Sequence, residues 1–343
     1  MDVVEPAVVM SPNKPDAPSE PTATFTLRHR LEYGLLRTLT AVARVAPMRA
    51  VTATGAGLVG MVGPLLRQNR RALANLEIAF PDKTLAERRR IARAMWANMG
   101  RIFAETLILD RIIAEPARIE LQDHAHWQQI MSEPGPSIGC TLHMGNWELA
   151  IWPLMLFGRA PAGVYKPLDN PLLDRWLAEQ RRALYPAGLL GKGESEDDPR
   201  AGQRTARALI SIARKGGCIG FVADHFDRRG EPIAFMGRHA RFTTAPAMIA
   251  RHVGARVWVG CCKRIGSSSR FRIEMRALEV PRTTDKEQDA RALTAAMFAA
   301  FEAWIRETPE QWMWWNTRWI SPLGATPPAT AVNLADAPTA EVR

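Results

Sequence analysis

The chain has 343 residues, 47% of them hydrophobic, with a formal net charge of +10 and a pI near 10.0. That length and apolar share suit a substantial core, in one large domain or two small ones, and exclude a chain disordered throughout. A surface this cationic seeks anions, yet no RNA-recognition signature or zinc-finger spacing is present, so a membrane surface or an acidic carrier is expected and nucleic acid is not.

Residues 1–25 carry Pro6, Pro12, Pro15, Pro18 and Pro21 among polar residues and read as a disordered tail. They lack the basic start and long apolar run of a secretory signal. Residues 26–110 read as a helical, membrane-facing section. In it Arg28, Arg30, Arg37, Arg44 and Arg49 accompany the apolar stretch from Leu31 to Leu66. The uncharged part, Ala50 to Leu66, is shorter than the roughly 20 residues a spanning helix needs and is interrupted by glycines and Pro64. A helical hairpin at the membrane interface is therefore expected rather than a span. Gly55-Ala56-Gly57-Leu58-Val59-Gly60 matches a dinucleotide-binding pattern, but Gly63-Pro64 spoils the helix that should follow, so no cofactor is expected. Helices are expected on both sides of Phe80-Pro81-Asp82-Lys83, the second opened by a capping box at Thr84 and Glu87. Arg88-Arg89-Arg90 reads as a solvated face.

Residues 111–321 alternate apolar runs with helical segments, which predicts an α/β fold with a central mixed sheet flanked by helices. Ser137 to Leu142 reads as a core strand after Pro134-Gly135-Pro136. A turn follows through His143, Met144 and Gly145, and Asn146 is placed to cap the next helix. Across such a turn His143 and Glu148 can meet, although on one continuous helix they would point apart. A carboxylate on one imidazole nitrogen fixes the tautomer and lets the other nitrogen take a proton. A second strand, Gly217 to Ala223, ends at Asp224-His225, the usual site position in an open α/β sheet. His225 and His239 read as solvated loop residues, and no metal site is expected. Ala245 to Val253 and Asp285 to Glu307 read as helices, and Val257 to Arg264 and Arg270 to Met275 as strands. The tryptophans between Trp312 and Trp319 are expected to pack the core. Residues 322–343 read as a second disordered tail. Cys140, Cys218, Cys261 and Cys262 lie in apolar runs without metal spacing, as small hydrophobes in a reducing compartment do.

His143-Met144-Gly145-Asn146-Trp147-Glu148 resembles the His-x4-Asp/Glu box of glycerolipid acyltransferases, and in particular the bacterial lipid A biosynthesis acyltransferases. Further blocks follow the same family in order: Asn75 to Pro81, Tyr165 to Asp174, Asp224 to Gly230, Phe235 to Thr244 and Pro309 to Arg318. The resemblance implies acyl transfer from an acyl carrier protein to a hydroxyl of a lipid A precursor, at the cytoplasmic face of the inner membrane. It implies a His143 base with Glu148 as its partner. It also implies substrate contacts from Asn146, Lys166, Asn170, Arg181, Asp224 and Thr243, with basic residues holding the acceptor phosphates. Direct transfer is expected, because no Gly-x-Ser-x-Gly elbow is present and no cysteine stands beside a base. Two alternatives stay open: a phospholipid or lyso-lipid O-acyltransferase, and a non-catalytic basic membrane-surface protein.

Overall fold

The computed structural model describes residues 25–192 and 200–322. The expected tails and the acidic stretch from Gly193 lie outside the described residues, except for Phe25, Arg200 and Pro322.

The described part opens with five α-helices: α1 (Leu27–Val45), α2 (Met48–Val62), α3 (Arg67–Ala79), α4 (Leu85–Thr106) and α5 (Leu109–Ile113). A 3-10 turn, Gly63–Leu65, joins α2 to α3, which are bent by 82°. The capping box of α4 forms in both directions: Thr84 Oγ1 accepts from the Glu87 amide at 3.3 Å, and Glu87 accepts from the Thr84 amide at 2.8 Å. The dinucleotide-like glycines lie inside α2, with no strand before them among the described residues. Their physical reason is close packing. A Cβ on Gly55 would sit 2.4 Å from the Gly100 carbonyl oxygen, so α2 and α4 touch backbone to backbone. Arg88 corrects the expectation of a solvated face. Its side chain is only 12% exposed and pairs with Glu77 at 2.9 Å.

From β1 (Ile119–Leu121) onward the chain alternates. It runs through α6 (His124–Ser132), β2 (Ser137–Thr141), a 3-10 turn at Trp147–Ile151, α7 (Trp152–Leu156), β3 (Pro161–Tyr165) and α8 (Pro171–Arg181). Next come β4 (Leu189–Gly191), α9 (Ala201–Arg214), β5 (Cys218–Val222), β6 (Phe226–Phe235), β7 (Arg238–Phe242) and α10 (Ala245–Val253). Then β8 (Arg256–Arg264), β9 (Phe271–Leu278), α11 (Lys286–Glu307) and β10 (Trp319–Pro322) complete the described part. Seven strands form one sheet in the order β1-β9-β8-β2-β5-β3-β4, parallel except where β9 runs against β8. Both faces are covered. Ile138, Cys140 and Ile219 pack with Met95, Leu209 and Phe298 on one side, and Trp258 packs with Leu149, Ile151 and Trp152 on the other. Burial on both faces is why these strands read as continuous apolar runs instead of alternating ones.

β10-β7-β6 form a separate antiparallel sheet, where the sequence reading expected a loop. Arg228, Arg229 and Gly230 hid the strand. They belong to a bulge, because Phe226 and Glu231 both oppose Phe242. The strands turn at Met236-Gly237, whose φ values of 52° and 81° suit the favoured two-residue hairpin. His239 therefore lies on β7, not in a solvated loop. Trp312 and Trp314 are fully buried, as expected of core residues.

Candidate active site

β2 and β5 are parallel neighbours in register, with Thr141 opposite Val222. Each carries a polar residue just past its C-terminal end, His143 on one and Asp224 on the other. The adjacency closes the site: His143 Nδ1 lies 2.7 Å from Asp224 Oδ1, and the His143 amide donates to Asp224 Oδ2 at 2.9 Å. Trp312 Nε1 donates to that same Oδ2 at 2.7 Å. Asp224 is fully buried, and Trp147 stands edge-on to the imidazole at 5.1 Å. Nε2 of His143 is left without a protein partner among the described residues. Burial pushes the Asp224 carboxyl up. The His143 charge and the three hydrogen bonds outweigh it, so the group titrates below the ordinary aspartate range.

The partner of His143 is therefore Asp224 and not Glu148, which corrects the expected pairing. Both Glu148 oxygens go to Arg181, at 2.7 and 2.5 Å, and Trp147 Nε1 adds a bond at 3.1 Å. Burial alone would weaken the Arg181 charge, but the adjacent carboxylate reverses this and raises its proton affinity. Arg181, expected to bind the acceptor, is committed to this buried pair. Burial first, and Asp174 second, push the neighbouring Tyr165 hydroxyl up to about 12.

The turn between His143 and Glu148 is fixed from several directions. Gly145 has φ 59°, and a Cβ there would meet the Cys262 carbonyl oxygen at 1.7 Å, so no other residue fits. The Gly145 amide donates to Gln311 O at 2.9 Å and the Asn146 amide to Cys262 O at 3.1 Å. Asn146 caps the 3-10 turn by accepting from the Glu148 amide at 3.2 Å. These amides are thus taken, which removes them as donors to a developing oxyanion. Asn146 Nδ2 reaches back to Glu105 at 2.8 Å. Glu105 also holds Arg264 at 2.7 Å and Ser269 at 2.7 Å, and Arg264 Nε donates to Asn98 at 2.9 Å. No local spacing in the sequence signals this buried network, whose members lie far apart along the chain.

The remaining expected contacts are dispersed. Asn170 caps α8 through Leu172 at 3.0 Å and ties it to Glu32 of α1 at 2.8 Å. Thr243 accepts from the Ala245 amide at 3.2 Å at the start of α10. Lys166 is exposed after β3.

A family model for bacterial lipid A biosynthesis acyltransferases matches residues 25–321. The chain belongs to that family. It is an acyltransferase. Among its curated relatives, the lipid A biosynthesis lauroyltransferase of Escherichia coli K12 is 25% identical over 282 residues, 79% of this chain and 86% of the relative. The lipid A biosynthesis palmitoleoyltransferase of the same organism is 22% identical over 275 residues, 77% of this chain and 83% of the relative. A lipid A biosynthesis acyltransferase of Shigella flexneri matches with the same identity and coverage. The family match spans the N-terminal helices as well as both sheets.

Proposed function

We propose that this acyltransferase moves a fatty acyl chain from the thioester of an acyl carrier protein to a hydroxyl of a lipid A precursor. The observation that supports the chemistry best is His143, fixed through Nδ1 on buried Asp224 with Nε2 turned outward. Asp224 keeps the proton on Nδ1 and leaves the Nε2 lone pair to accept the hydroxyl proton. The hydroxyl oxygen then attacks the thioester carbonyl. The C–S bond breaks, and the proton held on Nε2 passes to the leaving thiolate. The buried cysteines favour this direct route over an acyl-enzyme: burial pushes the thiols of Cys140, Cys261 and Cys262 well up, away from thiolate character. Glu148 and Arg181 act as a neutralised strut under the turn. The test is transfer from acyl carrier protein by the purified protein, with a lipid A precursor and a lysophospholipid offered in parallel. Product on the glycolipid alone supports the reading; product on the lysophospholipid alone contradicts it.

The proposed site of action is the cytoplasmic face of the inner membrane, reached through residues 26–110. Leu27, Leu31, Leu35 and Leu39 form an exposed stripe at four-residue spacing along α1, and Leu58, Met61, Val62 and Leu65 extend the apolar surface. No single described helix is long and apolar enough to cross a membrane; the bent pair Met48–Leu65 and Arg67–Ala79 passes that test only together. Of the five cations expected to meet lipid, Arg28 pairs with Glu32 and Arg44 with Asp110. Exposed Arg30, Arg37 and Arg49 remain to contribute roughly 1 kcal/mol each near anionic lipid. An interfacial anchor of this kind releases from membranes in high salt or carbonate. Retention until detergent is added would show that α2 and α3 enter the bilayer as a span.

A further inference from the structure

Four strongly buried cations of this protein pair with carboxylates. Arg181 has Glu148, Arg251 has Asp289, Arg264 has Glu105, and Lys263 has Glu274 and Glu307. Three arginines near the site have no such partner among the described residues. Arg71 comes from α3, Arg228 from the bulge of β6, and Arg318 immediately precedes β10. No carboxylate lies within 4.0 Å of any of the three among the described residues. They are positioned by other contacts. Arg318 lies over the Phe226 ring at 5.6 Å, and Arg71 donates to the Trp315 carbonyl at 3.4 Å. Trp315 is itself stacked on Trp96 at 4.4 Å. Partial burial first, and the charges of Arg71 and Arg228 second, lower the proton affinity of Arg318. Three like charges therefore share one field.

The location points to the ligand. Phe226 follows Asp224 by two residues, so the cluster borders the His143 site. Arg71 is also near the apolar surface. It lies in the second turn of α3, whose N-cap is exposed Leu66, next to exposed Leu65. Guanidinium forks bind phosphate oxygens through paired, charge-assisted hydrogen bonds.

We propose that Arg71, Arg228 and Arg318 form a binding site for a phosphate monoester carried by the acceptor lipid. This rests on the acceptor reading given above. The site seats the phosphate beside Phe226 and so presents a nearby hydroxyl to Nε2 of His143. It also accounts for the commitment of Arg181 to Glu148: the acceptor's anion is met by a separate set of cations.

The experiment compares kcat/KM on a phosphorylated lipid A precursor with that on the same glycolipid after phosphatase treatment, for wild type and for the Arg71→Gln/Arg228→Gln variant. Hydrogen bonds to charged groups predict a wild-type preference for the phosphorylated acceptor on the order of 10- to 100-fold. The variant's preference should fall towards one, and Arg318→Lys should keep part of it. Binding to phosphatidylglycerol vesicles separates the acceptor's phosphate from bulk headgroups. A preference that stays at its wild-type value while vesicle binding weakens would assign the cluster to bulk lipid and overturn the proposal. Wild-type transfer to lysophospholipid and to neither glycolipid would overturn the acceptor reading, and the assignment of this site with it.

Discussion

Replacing Asp224 by asparagine should lower turnover about 10⁴-fold, the scale seen when a buried carboxylate behind a histidine base becomes an amide. The fold should survive, because the amide oxygen can replace Oδ2 and accept from Trp312 Nε1 and the His143 amide. The amide nitrogen then faces Nδ1. It donates, so Nδ1 must accept, and the ring proton moves to Nε2. A histidine with its proton on Nε2 cannot take another from a hydroxyl there. Initial rates and a urea unfolding curve measure both halves. A folded variant within tenfold of wild type would remove Asp224 from the mechanism. The same variant has a pH signature. The folded-state Asp224 carboxyl lies below its unfolded value of about 3.9. Its stabilising contribution is therefore present above that value and is lost as pH falls through the folded one. The stability difference between wild type and variant should shrink below about pH 4.

The largest stability loss is expected at Glu105. Its carboxylate is fully buried and takes bonds from Arg264, Ser269 and Asn146. In Glu105→Leu the guanidinium stays buried without an anion, which costs about 3–5 kcal/mol. Adding Arg264→Met should recover much of this, because an apolar pair can replace a buried ion pair at little cost. Recovery should stop short of wild type. Ser269 and the Asn146 amide would still lack acceptors, at roughly 1–3 kcal/mol for each buried unsatisfied group. Urea unfolding of wild type, single and double variants checks the order. A single variant less than about 1 kcal/mol below wild type would mean that Arg264 finds another partner.

The strands and helices around the site were readable because they are local. Ser137 to Thr141 and Cys218 to Val222 are short apolar runs bounded by breakers, and Asn146 declared itself as a cap. What the sequence hid is long-range. His143 and Asp224 are 81 residues apart and meet only because β2 and β5 are adjacent in the sheet. Glu148 lies five residues from His143, which made it the natural partner by proximity. Arg181, at the end of α8, claims it instead. Glu105 and Arg264 are 159 residues apart, on a helix and a strand whose contact no spacing encodes. Gly55 and Gly100 show the converse: a pattern read from one segment was explained by packing against another.

The most direct measurement is the transfer assay itself, run with acyl carrier protein thioester and a phosphorylated lipid A precursor on wild type and His143→Ala. Loss of the general base predicts a fall of about 10²- to 10⁴-fold in turnover, in a protein that still folds because the residue 143 amide and Trp312 Nε1 continue to hold buried Asp224. Acylated glycolipid formed at close to the wild-type rate by folded His143→Ala protein would contradict the account.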